Sequence, residues 1–160
     1  MKPIAVDEKS LPALEWILGV FKKHGVPYQV CGGFAAHLYG ATRPINDIDI
    51  DIPRDAFDKI LPEVKDYVKF GPAHYTDERW DIFEMILDYH GQEIDLTAPE
   101  CKIFNDTAGA WEEYNADLAQ AQHVQYAGAE VSVCPRQKLI EYKKLLSGEH
   151  QKQDIKEISF

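Results

Sequence analysis

A chain of 160 residues with 45% hydrophobic, 11% aromatic and 28% charged residues has the composition of one globular domain with one core. Its net charge of −10 argues against sequence-independent binding of DNA or RNA and against docking on an anionic membrane, since both need basic surface. Three cysteines without CxxC spacing fit neither a disulfide framework nor a zinc cluster. No apolar run approaches the ~20 residues that span a bilayer. The N-terminal MKPIAVDEKS has no apolar secretory core, so a cytoplasmic location with idle thiols is expected.

In chain order, SLPALEWILGVFKKHG (10–25) reads as a helix. Ser10 is the expected cap, Pro12 lies in the first turn, Lys22 and Lys23 in the last, and Gly25 ends it. PYQVC (27–31) is a short strand that runs into GGFAAHLYG (32–40), a tight turn opening a short helix. NDIDIDI (46–52) alternates acids and isoleucines with period two, which is strand spacing. PRDAFDKILPEVKDYVKF (53–70) carries Phe57, Ile60, Leu61 and Val64 at helical spacing, with Pro62 expected to kink or split the helix. GPAHYTDERW (71–80) is left as a connection. DIFEMILDYHGQEIDLTAP (81–99) reads as two strands joined at His90-Gly91-Gln92. Residues 100–122 have no clear assignment. HVQYAGAEVSVCP (123–135) is a hairpin turning at Ala127-Gly128-Ala129, and helices close the chain over about 135–159. Helices mixed with at least two hairpins predict an α+β (mixed α/β) domain spanning 1–160, its mixed sheet covered by helices mainly on one face. Trp80 and Trp111 are expected in the core.

The chemistry concentrates in two stretches. Gly32 and Gly33 sit where a strand turns into a helix, a place where backbone can approach a ligand closely and free N–H groups can meet phosphate. Asp47, Asp49 and Asp51 point the same way from one strand, with neighbours about 6.6 Å apart. Such carboxylates can gather Mg²⁺, which takes a few acids plus waters and substrate phosphates; the competing reading is a solvated strand edge. Glu93, Asp95 and Thr97 share one face of a later strand. Asp95 is the preferred third acid, a metal ligand and general base, with Glu93 as the competing choice. Arg43 can clamp a phosphate or pair with an acid. Lys143, Lys144 and Lys152 are candidates to reach a nucleotide. The six histidines show no HExxH spacing, and neither a GxSxG nor a GxxxxGK[ST] motif occurs.

VCGGFAAHLYGATRPINDIDIDIP, followed by HGQEIDLTAP, resembles the signature of the nucleotidyltransferase superfamily that contains DNA polymerase beta. The likeness is to its small bacterial branch, with the lincosamide and abortive-infection nucleotidyltransferases. Gly32 and Gly33 match the turn, Gly40 the helix end, Arg43 the basic position, Asp47 and Asp49 the metal pair, and Asp95 the third acid. The tail VSVCPRQKLIEYKKLLSGEHQKQDIKEI is similar to the closing segment and maps Lys143 and Asp154. Ile45 departs from the usual Thr or Ser, Lys152-Gln153-Asp154 from the usual RxKD, and the chain leaves little room for an added helical domain.

The resemblance implies transfer of a nucleoside monophosphate from an NTP to an acceptor hydroxyl by a two-metal mechanism, with two Mg²⁺ ions or Mn²⁺ in their place. Asp47, Asp49 and Asp95 would be catalytic and metal-binding, and Gly32, Gly33, Arg43 and Lys143 would bind the nucleotide. Asp51 would lie beyond the metals, behind them or solvated. A small-molecule acceptor is favoured, no DNA or membrane partner is expected, and a homodimer stays open. A non-catalytic nucleotide- or partner-binding module, such as half of a toxin–antitoxin pair, and a metal-dependent phosphohydrolase are the rival readings.

Overall fold

The structure, a computed structural model, describes residues 3–159. Helix α1 (Leu11–His24) buries Ala13, Leu14, Ile17, Val20 and Phe21, the three-and-four spacing of one helical face. Gly25 closes it at φ 64°, a left-handed value that glycine adopts without strain. Ser10 does not cap through its side chain. Its hydroxyl donates to the Asp7 carbonyl, while Asp7 Oδ2 accepts from the Ser10 N–H at 3.1 Å.

Strand β1 (Gln29–Cys31) leads directly into helix α2 (Gly32–Leu38), and strand β2 (Asp47–Asp51) follows. Helix α3 (Ala56–Val64) is shorter than the sequence predicts. It runs through Pro62 without splitting and gives way to a single 3-10 turn, Lys65–Tyr67. The segment expected as helix end and connection is instead strand β3 (Val68–Thr76). Strands β4 (Trp80–Tyr89) and β5 (Gln92–Thr97) form the predicted hairpin, with His90 and Gly91 both at positive φ. The unassigned stretch contains strands β6 (Glu100–Asn105) and β7 (Ala110–Asn115). Strands β8 (Gln122–Tyr126) and β9 (Ala129–Val133) make the last hairpin, and helices α4 (Arg136–Leu145) and α5 (Glu149–Ile158) follow.

The nine strands form one mixed sheet in the order β7-β6-β4-β5-β2-β1-β9-β8, with β3 on β4. Its centre decides where the acids go. Strands β2 and β5 are parallel and in register, Asp47 beside Glu93, Asp49 beside Asp95 and Asp51 beside Thr97. Strand β4 runs antiparallel to β5, with Glu84 beside Thr97 and Ile86 beside Asp95. Because side chains alternate, one face receives Ile48, Ile50, Ile94, Leu96, Met85 and Leu87, all fully buried in the cluster that includes α1 and α3. Each such burial contributes about 1.5–3 kcal/mol, so a one-residue slip that put the acids into this core is strongly excluded. The register that buries the isoleucines therefore stacks the carboxylates on the opposite face.

Neither tryptophan expected in the core is there. Trp80 is only partly buried, its ring 6.3 Å from that of Tyr142, and Trp111 is 45% exposed.

Candidate active site

A cleft of about 680 Å³ opens on the acidic face. Gly32, Gly33, Arg43, Asp47, Asp49, Asp95 and Lys143 all line it, so one cavity unites the three preferred acids with the four residues expected to meet the nucleotide. Glu93, the competing third acid, is exposed and is not part of the lining. One carboxylate oxygen each from Asp47, Glu93 and Asp95 lies within 4.8 Å of the others. Both acids of the EID strand thus lie close to Asp47.

The backbone explains the position of Asp49. Gly32 has φ 63°, and a Cβ built on it would lie 2.2 Å from Asp49 Oδ2. The turn from β1 into α2 therefore comes up against the Asp49 carboxylate, and only glycine leaves room for it. At Gly33 a Cβ would meet only Arg43 Nη2, at 3.8 Å.

Electrostatically the centre is unstable without a counter-charge. Burial pushes the Asp49 carboxyl well up, and the charges of Asp47 and Asp51 add to it; a hydrogen bond with Asp95 and the charge of Lys143 pull the other way. Asp95 is pushed up to about 10, by burial first and then by Asp49, Asp47 and Glu93. Its Oδ1 is buried without a hydrogen-bond partner. An orphaned oxygen among crowded carboxylates fits a hard divalent cation such as Mg²⁺, for which oxygen donors are the natural ligands.

Asp51 differs from the other two acids of β2. It is buried rather than solvated, accepting from Gln29 Nε2 at 3.1 Å, Thr97 Oγ1 at 2.8 Å and Cys31 Sγ at 3.6 Å. Burial raises its pKa, and these three donors partly offset that. Its oxygens are occupied by protein donors, which leaves it behind the cluster as a support.

The basic wall is built around Asp154, which is 1% exposed. Arg43 donates to it twice, Nη2 to Oδ2 at 2.7 Å and Nε to Oδ1 at 2.9 Å, and Lys143 Nζ lies 2.9 Å from Oδ2. Lys143 is 2% exposed and also donates to Gln151 Oε1 at 3.0 Å. So Arg43 does pair with an acid, and that pairing fixes it on the cleft wall. Lys144 is exposed, and the exposed Lys152 meets Glu149. Glu84, Tyr142, His150 and Gln151 also line the cleft but carry no local sequence signal. The cysteines are free thiols, as expected, and all three border the cleft.

No protein-family model and no curated protein sequence matches this chain. Solved structures do. A candidate nucleotidyltransferase from Thermotoga maritima aligns over 88% of this chain and 87% of its own, at TM-score 0.72 and 20% identity. The chain has the nucleotidyltransferase fold. Lincosamide antibiotic adenylyltransferase LnuA, solved with lincomycin, aligns over 96% of this chain and 97% of its own, at TM-score 0.66 and 22% identity. ANT(2")-Ia, solved with adenylyl-2"-tobramycin, aligns over 94% and 87%, at TM-score 0.61 and 16% identity. So little of LnuA lies outside the shared fold that the shortness of the present chain does not set it apart from that neighbour. Among the described residues, no helix is long and apolar enough to cross a membrane.

Proposed function

We propose that the protein transfers a nucleoside monophosphate from a nucleoside triphosphate to a hydroxyl of a small-molecule acceptor. The observation that carries this reading is the pairing of Asp49 with Asp95 across β2 and β5, in the same cleft as Gly32, Gly33, Arg43 and Lys143. Carboxylates and cations in one cleft suit a substrate whose phosphates need both metal and basic partners.

Asp47, Asp49, Asp95 and Glu93 would hold divalent cations, two Mg²⁺ being the reading this chemistry favours. When bound, the cations supply positive charge that keeps the carboxylates ionised and offsets the charge of the triphosphate. The Gly32 and Gly33 amides face the β- and γ-phosphates. The acceptor oxygen bonds to the α-phosphorus as the bond to the bridging oxygen breaks, and pyrophosphate leaves with that electron pair. Asp95 takes the hydroxyl proton. Arg43 and Lys143, fixed by Asp154, face the charge growing on pyrophosphate.

The test is incubation with each α-labelled NTP, Mg²⁺ and a panel of hydroxylated small molecules. Label should pass to an acceptor with release of pyrophosphate, and Asp49→Ala should abolish the transfer. Full activity in a clean Asp49→Ala preparation refutes the mechanism. Intact NTP binding without any transfer identifies a binding module, and release of free phosphate or nucleoside monophosphate without a tagged acceptor identifies a phosphohydrolase.

A further inference from the structure

The cleft extends past the carboxylate cluster onto β3 and β4. Side chains of β4 alternate, so Trp80, Ile82, Glu84 and Ile86 line the cleft while Phe83 and Met85 turn towards the core. Glu84 is the anomaly in this row. It is 8% exposed, yet among the described residues its carboxylate makes no hydrogen bond and no ion pair. Its surroundings are acidic as well. Burial raises its pKa first, and the charges of Glu93 and Asp77 raise it further.

Nearby basic groups are engaged elsewhere. Lys69 pairs with Asp88, His74 with Asp81 and Arg79 with Asp106, while Arg54 lies 3.3 Å from the centre of the Phe83 ring. Ala73 stands opposite Glu84, and on either side of it β3 presents two large rings to the cleft, Phe70 across from Ile86 and Tyr75 across from Ile82. Phe70 is 36% and Tyr75 37% exposed, and their rings meet edge to face at 6.1 Å. The Glu84 oxygens are not sealed from solvent, so an unpaired carboxylate opens onto the cleft, and exposed aromatic surface beside it is apolar area available to a ligand.

We propose that this end of the cleft is the acceptor subsite, and that the acceptor joins a protonated amine to a flat apolar face and carries its reacting hydroxyl at the far end. The inference rests on the transferase reading above and names the substrate class it takes. Glu84 pairs with the ammonium, and Phe70 and Tyr75 receive the flat face, where a ring also favours a nearby cation. Glu84 stands beside Thr97 and Asp95 beside Ile86 across the same strand pair. Sheet spacing then puts the Glu84 and Asp95 Cα atoms about 8 Å apart, the span of a six-membered ring with a substituent at each end.

The probe is 4-(aminomethyl)benzyl alcohol, which holds an ammonium and a hydroxyl at opposite ends of a flat ring, compared with its neutral N-acetyl derivative. Both are titrated at neutral pH into the wild-type chain and into Glu84→Gln, a near-isosteric change that should fold at least as well because it removes a buried charge. The wild type should bind the amine at least about tenfold more tightly than the amide. Glu84→Gln should lose that preference while leaving the affinity for the amide unchanged. Equal binding of the two probes, no binding of the amine at millimolar concentration, or an undiminished preference in Glu84→Gln overturns the inference. The rise in Tm with each of the NTPs and Mg²⁺ is recorded in the same samples. A rise without amine preference overturns this inference alone, and no rise overturns the transferase reading on which it rests.

Discussion

The strongest consequence of the basic wall concerns Asp154→Asn. The native carboxylate receives three charge-assisted contacts, at 2.7, 2.9 and 2.9 Å, from Arg43 and Lys143. Removing one partner of a buried ion pair typically costs about 3–5 kcal/mol, because the remaining charge stays desolvated. Lys143 is the charge left stranded, at 2% exposure, whereas Arg43 keeps part of its surface in water. Gln151 and the field of Asp49 still help Lys143, so the low end, about 3 kcal/mol, is expected. For a chain of this size that lowers Tm by roughly 6–12 °C. Urea unfolding at pH 7 without divalent ions measures it directly.

The pH dependence gives the same variant a second readout. Burial pushes the Asp154 pKa up, but the hydrogen bonds and charges of Arg43 and Lys143 outweigh this and hold it below the ordinary value. A carboxylate depressed on folding stabilises above its unfolded pKa and loses that contribution as pH falls through the folded one. Wild type and Asp154→Asn should therefore differ by a constant amount from about pH 5 to 7 and converge below about pH 4. A difference under about 1 kcal/mol at pH 7, or one that persists in acid, refutes the argument that Asp154 anchors the wall by its charge.

The remaining expectations concern the acidic side. Gly32→Ala should cost about 1–2 kcal/mol from backbone strain alone and should displace Asp49, cutting nucleotidyl transfer at least about tenfold, whereas Gly33→Ala should unfold close to the wild type; matched unfolding and turnover curves decide this. With the Asp95 carboxyl pushed up, the metal-free native state keeps a proton that the unfolded chain releases above about pH 4, so apo stability should fall as pH rises above that value. Mg²⁺ competes with that proton and should raise Tm more at pH 8.5 than at pH 6; equal shifts contradict the cluster as a metal site. Asp51→Ala strands the Gln29, Thr97 and Cys31 donors and should cost about 2 kcal/mol, yet it should preserve the Mg²⁺-induced shift that Asp47→Ala diminishes.

Where local chemistry settles an element, the sequence was enough. Alternating NDIDIDI, the left-handed Gly25 and the paired positive-φ residues at 90–91 and 127–128 each act over a few residues, and each appears where expected. Strand β3 escaped detection because Gly71-Pro72 interrupts its alternation, and its pairing with β4 shifts register on both sides of Phe70. Strands β6 and β7 carried a usable signal in NDTAG (105–109). Asn105 Oδ1 accepts from the Thr107 and Ala108 N–H groups, Gly109 takes φ 65°, and Phe104 packs edge to face on Trp111 across the hairpin. The helix expected over 53–70 stops early because its apolar spacing ends at Val64, after which the chain is needed as a sheet strand.

The site divides along the same line. Acids that share a strand with buried isoleucines are legible, because the force that buries Ile48, Ile50, Ile94 and Leu96 fixes the opposite face too. Asp154 and Glu84 are not legible in this way, since each depends on what lies across from it in space. Asp154 is a buried acid with two cations, and Glu84 is a buried acid with none. The same side-chain chemistry thus has opposite electrostatic meaning at the two ends of one cleft. On the readings proposed above, the cations would meet phosphate, and the acid without them would meet a positive ligand. Burial and mutual repulsion push the Asp49 and Asp95 carboxyls up despite the charge of Lys143 on Asp49, which is where a divalent cation contributes most. A net charge of −10 therefore says little about the polarity of the cleft: its walls are sorted by sign, and that sorting is what would order a triphosphate and a cationic acceptor on either side of the reacting phosphorus.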